Sequence, residues 1–246
     1  MINNREFTSF GNSQIIDQGL RNYMLKIYNY MAGGLTATAL SAYLVITNPS
    51  IFRLFFNEVG MTSLGWLILF APLILIFSFN WVLKSGTAQQ LQTMFWVYSL
   101  LMGISLAPIF LVYTGASIAR VFLICAATFG ALSLYGYTTK KDLTGLGTFL
   151  YMALFGLIIV SLVSLILLFF NLGNGGLINS VTYSYIAVLI FAGLTVYDTQ
   201  NLKHMYYANG LSDDTIQKGA IAGALGLYLD FINMFINLLR LFGDRR

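Results

Sequence analysis

TIQKGAIAGALGLYLDFINMFINLLRLF, residues 215–242, is the stretch whose reading decides the fold. Laid out at about 100° per residue, Gly219, Gly223, Gly226, Asp230, Asn233 and Asn237 fall on one stripe, with Arg240 at its edge. The first half of that stripe is bare backbone and the second half carries a carboxyl and two amides. The remaining faces are Leu, Ile, Phe, Ala, Met and Tyr. A helix apolar nearly all round is buried in lipid, in protein, or in both. Glycines on one face let neighbouring helices approach closely. A carboxylate near the middle of a membrane span costs about 2.5–3.5 kcal/mol on insertion scales, so it should face protein or water rather than lipid. The helix is therefore expected inside a bundle, with Asp230 as the first candidate functional residue.

Working outward, the composition says the same of the whole chain. Of 246 residues 58% are hydrophobic and 9% charged, whereas a soluble domain carries about 25% charged residues. An all-α, polytopic membrane protein follows. The net charge of +4 is scattered over loops, where its role is topological, and no dense basic patch points to nucleic acid. Cys125 stands alone in an apolar run and reads as core packing. Residues 1–21 are polar, with Arg5, Glu6, Asp17 and Arg21, and form an arm too polar to insert. The following apolar stretch is too long for a signal peptide.

Spans need roughly 20 apolar residues. They are expected at 22–46, 64–83 (Pro72 inside, with a kink), 92–113 (Pro108 inside), 118–135, 148–170, from 180 through Asp198 to about 207, and 215–242. An amphipathic linker with Arg53 and Glu58 joins the first two. The sequence 171–176 and Asn209-Gly210 mark turns, and Ser212-Asp213-Asp214 offers an N-cap with first-turn acids. Residues 22–243 thus read as one seven-helix domain. With the N-terminus cytoplasmic, that side holds Arg5, Arg21, Lys26, Lys84, Lys140, Lys141, Lys203 and Lys218, against Arg53 and Arg120 outside. Arg245 and Arg246 fall outside if the seventh helix crosses and inside if it re-enters. Its length, at about 1.5 Å per residue, favours a full crossing.

Within the spans only Asp198 and Asp230 are acidic. Helices 6 and 7 are joined by a short turn and should be antiparallel neighbours. Counted from Asn209-Gly210, the two acids lie at roughly 16 and 30 Å of depth, so contact is permitted but not required. If they meet, they share a proton whose loss belongs to the pair, giving a latch closed in acid and opened by repulsion at higher pH. Alternatively, the doubly ionised pair is a hard oxygen site for Ca²⁺, helped by the amides of Asn201 and Asn233. As a third reading, hydroxyls, amides or Lys203 satisfy each Asp, which then only sets helix register. His204 has no second His or Cys nearby for a transition metal. Tyr28, Tyr30, Trp66, Trp81, Trp96, Tyr206 and Tyr207 read as interface anchors. The Gly173–Gly176 loop lacks the strand–helix context of a phosphate cradle, and no P-loop, nucleophile elbow or HExxH is present.

GLYLDFINMFINLLRLFG at 226–243 resembles the C-terminal signature of the Bax inhibitor family, the transmembrane Bax inhibitor motif proteins. VYDTQNLKH at 196–204 is similar to the family's sixth helix and YGYTTKKDL at 135–143 to its central cytoplasmic loop. GISLAP at 103–108, followed by AATF at 126–129, is similar to its helix 3–4 pattern. The resemblance implies seven helices with the C-terminal one surrounded by the other six. It also implies a pH-sensitive calcium leak gated by a di-aspartyl pair, here Asp198 and Asp230. It implies no tightly bound cofactor, with Ca²⁺ as the transported ion. Relatives restrain cell death at the endoplasmic reticulum, and bacterial members are tied to a membrane-bound AAA protease. Some members carry an arginine near the end of helix 2 that latches onto the aspartates; here the only cation there is Lys84, which lacks the bidentate fork.

Three functions are weighed on this basis: a proton-regulated calcium leak, a non-conducting regulator that binds a membrane protease through the N-terminal arm, and an intramembrane aspartyl protease. Tyr197-Asp198 matches half of the protease chemistry, but Gly-Leu-Tyr-Leu before Asp230 is not Gly-x-Gly, and no Pro-Ala-Leu motif occurs. A retinal protein is excluded because helix 7 has no mid-span lysine. The compact chain without targeting signals suits a bacterial inner membrane.

Overall fold

The structure, a computed structural model, describes residues 4–57, 60–170, 179–208 and 212–246, and for residues 4–17, 168 and 169 the backbone only. The expected turns at 171–176 and Asn209-Gly210, and Glu58 in the first linker, lie outside the described residues. The elements in order are α1 (Asn4–Thr47), α2 (Pro49–Phe55), β1 (Phe56–Asn57), β2 (Gly60–Met61), α3 (Ser63–Ser85), α4 (Ala88–Leu106), α5 (Ile109–Val112), α6 (Gly115–Thr138), α7 (Thr144–Phe169), α8 (Ser180–Ala208) and α9 (Asp213–Phe242). Among the described residues seven stretches are long and apolar enough to cross a membrane, α4 and α5 counting together. The all-α, seven-span reading is thereby met. Large apolar side chains face outward along the shaft, among them Phe77, Trp81, Leu123, Phe155 and Leu189, as a lipid environment demands.

Two expectations need correction. The third span is not one helix with a proline inside it: α4 stops at Leu106 and α5 restarts at Ile109. Pro108 has no N–H and its ring disfavours helical backbone before it, and the chain turns there with Phe110 N on Ala107 O at 3.1 Å. The first linker is not a plain amphipathic stretch but the short helix α2 followed by the two-residue pairing of β1 with β2. Thr62 closes this corner, accepting from Gly65 N at 3.1 Å and donating to Leu54 O at 2.6 Å. By contrast, α3 continues through Pro72, and the polar N-terminal arm extends α1 back to Asn4.

The helices group into two compact units: residues 1–105 with 202–225, and residues 106–201 with 226–246. In the first, small residues bring α1 and α4 together. Thr38 donates to Ser99 O at 2.9 Å and Ser41 to Leu100 O at 3.0 Å, while Gly103 lies against Thr38 and Ser41 with no room for a Cβ. Gly223 is packed in the same way on Leu202 and Ile27, and Gly219 beside the Tyr23 hydroxyl.

In the second unit, Ser117, Val121, Cys125, Phe129, Ser133 and Gly136 form the buried stripe of α6, four or three residues apart as one helix face requires. Phe129 and Phe122 meet Phe231 edge to face, Ser133 and Thr199 share a 3.0 Å hydrogen bond, and Gly136 touches the Val196 carbonyl. The chain end is strapped to the α5–α6 connection: Thr114 N donates to Asp244 O at 3.1 Å, Arg246 N to Val112 O at 2.9 Å, and Arg120 pairs with Asp244 at 2.8 Å. The C-terminus therefore lies at the start of α6. Helix α9 is continuous from Asp213 to Phe242 and long enough to cross a membrane. It is also the most buried span, with 67% of its apolar window inside.

Close approach at Gly136 is testable against Gly130, where a Cβ would meet open space. Gly136→Ala should destabilise by about 1–3 kcal/mol through overpacking, and Gly130→Ala should be neutral or stabilising by up to about 1 kcal/mol. Thermal unfolding of the purified variants in detergent checks both.

Candidate functional site

Asp198 and Asp230 come together. Both belong to the second unit, and their side chains lie close enough to interact directly. Asp230 is 5% exposed and Asp198 half-buried. The depth arithmetic left a gap because it matched the two helix ends at the turn. Instead α8 pairs with α9 so that Leu202 lies on Gly223, and Asp198 Oδ2 is 3.9 Å from where a Cβ on Gly226 would stand. The first turns of α9 therefore project past the α8 pairing. Bare backbone at Gly223, where a Cβ would run into Leu202, allows this approach.

Sequence reasoning missed a third member. The Tyr151 hydroxyl on α7 donates to Asp198 Oδ1 at 2.9 Å. Its ring packs edge to face on Tyr197, centroids 5.9 Å apart, and Tyr197 in turn fills the space over Gly147. The clamp that seats α7 against α8 is Gln200, which was also missed. Its Oε1 accepts from Leu143 N at 3.0 Å and its Nε2 donates to Lys141 O at 2.7 Å. A buried amide satisfied at both ends fixes the start of α7, and Tyr151 follows two turns later. The available signal was the one tyrosine in a strongly apolar span, since a Tyr in an apolar setting seeks a partner for its O–H.

The supporting residues divide. Asn233 and Asn237 lie on the Asp230 stripe and donate to Leu229 O and Asn233 O, both at 2.8 Å, not to the carboxyls. Asn201 is half-buried one turn beyond Asp198. Arg240 is exposed in the last turn of α9. Lys84 is exposed at the end of α3, in the first unit. Lys203 and His204 follow Asp198 toward the end of α8, with His204 exposed. Among the described residues no third His, Cys, Asp or Glu joins the pair. Two carboxylates are hard oxygen donors of the kind that calcium takes, about six to eight at a time.

The fold and this pair define a multi-pass helical membrane protein with an acidic couple buried between its last two helices. The family profile described as Bax1-I, inhibitor of apoptosis-promoting Bax1, matches residues 20–246. The inner membrane protein YbhL of Escherichia coli K12 is 44% identical over 230 residues, 93% of this chain and 94% of that one. The protein RP147 of Rickettsia prowazekii is 45% identical over 242 residues, 98% of each chain. A relative from Caulobacter vibrioides is 39% identical over 236 residues, 94% of this chain and 92% of its own. The chain belongs to the Bax inhibitor family.

Tyr151→Phe removes one donor from Asp198 while keeping the ring. The expected loss is about 1–2 kcal/mol of stability, the usual worth of such a bond, read as a lower thermal midpoint in detergent.

Proposed function

We propose that this protein is a pH-sensitive calcium leak gated by the Asp198–Asp230 pair. The observation that carries the reading is the contact of these two acids at a buried position. Two carboxyls in contact away from water do not hold two negative charges without a proton or a cation between them. In acid a shared proton joins α8 to α9. At higher pH the second charge repels, the helices separate, and the same oxygens become a station for a hard divalent cation. Tyr151 keeps one Asp198 oxygen oriented in both states. The family resemblance carries calcium as the ion, and the all-oxygen donor set agrees with it. The lysine and arginine bias of the loops supports a cytoplasmic N-terminus, and the likeness to an inner membrane protein supports that membrane. In this reading α9 is the centre of the bundle, which its burial supports, and the protein is not an enzyme.

A second reading is a non-conducting regulator of a membrane protease or another partner. It is supported by α1, which starts at Asn4 while its apolar span begins at Gln18, leaving a helical arm outside the span.

Reconstitution into liposomes with an enclosed calcium dye tests the leak. Calcium entry should rise as pH is raised, because the proton shared by the pair is then lost. Asp198→Asn and Asp230→Asn should each flatten that pH response. Flux indifferent to pH, or unchanged in both variants, removes the reading. Deleting the arm should leave flux intact and abolish only partner regulation.

A further inference from the structure

Beyond Asp230, the amides of α9 all hydrogen-bond in one sense. Asn233 and Asn237 each give an N–H to the carbonyl one turn back, which leaves their own side-chain oxygens over. Asn237 is 5% exposed, and its Oδ1 makes no hydrogen bond within the chain. Only two other buried side-chain atoms among the described residues share that condition: Asp230 Oδ2 and Ser184 Oγ. All three belong to the second unit.

Their placement is ordered. Asp230, Asn233 and Asn237 stand at i, i+3 and i+7 on one α9 face. On α8, Ser184, Ala187, Phe191, Leu194 and Asp198 form the matching face, the first four buried. The two helices are antiparallel and their acids touch, so both series leave the pair in the same direction, toward Gly243. By helical rise Asn237 is about 10 Å from the pair and Ser184 about 21 Å. An unpartnered amide oxygen in an apolar interior is unfavourable unless something satisfies it. Along this seam the atoms left over are lone-pair oxygens, and only the serine also carries a hydrogen. Such a series attracts hard cations and their water, and offers nothing to an anion.

We propose that Asn237 is a second oxygen station for the permeating cation, on a path from the Asp198–Asp230 pair along the α8–α9 seam toward Gly243, with Ser184 as its last polar group. This rests on the leak reading above and adds the route and the preference for cations. The neutral amide holds the ion more weakly than the acids, as passage requires.

The test is calcium flux in proteoliposomes of the full chain, comparing wild type with Asn237→Leu, Asn237→Asp and Asn237→Cys, the last in a Cys125→Ala background. Asn237→Leu should lower flux about tenfold, the kinetic equivalent of one lost oxygen contact, with the pH response kept in form. Asn237→Asp should conduct at least as well as wild type. Cadmium should block Asn237→Cys, reversibly on chelation, and spare the Cys125→Ala parent. The proposal is overturned if Asn237→Leu conducts within about twofold of wild type, a change too small for a lost ligand. It is equally overturned if Asn237→Leu fails to conduct while cadmium leaves Asn237→Cys unaffected, since Asn237 then only packs. Wild-type flux that Asp198→Asn and Asp230→Asn still alter, beside an unaffected Asn237→Leu, removes the station and leaves the leak. Absence of any wild-type flux removes both.

Discussion

Two carboxyl groups touch in the interior of an apolar helical protein, and the rest of the second unit is arranged so that they can. Neither charge would be tolerated there alone, because a low-dielectric surrounding penalises an ionised group far more than water does. Contact turns that penalty into a dependence on what lies between the oxygens. The requirements on the scaffold follow directly. Helices α8 and α9 must approach closely, as they do where Leu202 lies on the bare backbone of Gly223. Asp198 must be held from a third side, which α7 does through Tyr151. And α7 must itself be located, which Gln200 achieves by closing both of its hydrogen bonds on the α6–α7 connection.

The treatment of polar groups elsewhere makes the α8–α9 seam stand apart. Hydroxyls on the spans mostly fold back onto the carbonyl one turn earlier, as at Thr36, Ser78, Thr148 and Ser161. Others tie two helices, as Thr38 and Ser41 tie α1 to α4. Both habits satisfy a buried polar atom locally, and an apolar solvent leaves little other choice. Asp230, Asn237 and Ser184 depart from them, and they do so along one seam.

Packing of the last helix links this chemistry to the outer frame. Its Asp230 stripe is set in depth by two independent contacts. Within the second unit, Phe231 is held by Phe122 and Phe129, and the residues after Phe242 are strapped to the α5–α6 connection by backbone hydrogen bonds and Asp244. These contacts fix the end of α9 against the α5–α6 connection.

Much of this was legible along the chain because hydrophobic length and periodicity are local properties. Seven spans, the stripe on α9 and the two acids follow from residue type and spacing alone, and the signature at 226–243 pointed to the family before any geometry did. Other features depend on contacts between segments distant in sequence. Pro108 shows the limit for local structure: α3 continues through Pro72 while α4 ends before Pro108, so a proline in an apolar run does not by itself say whether the helix is kept or broken. Tyr151 and Gln200 show it for the site, since a hydroxyl or an amide on a span acquires meaning only from the group it meets. The meeting of Asp198 with Asp230 was permitted by length but decided by the α8–α9 pairing, because helix offset is set by which side chains interlock and not by where the turn begins.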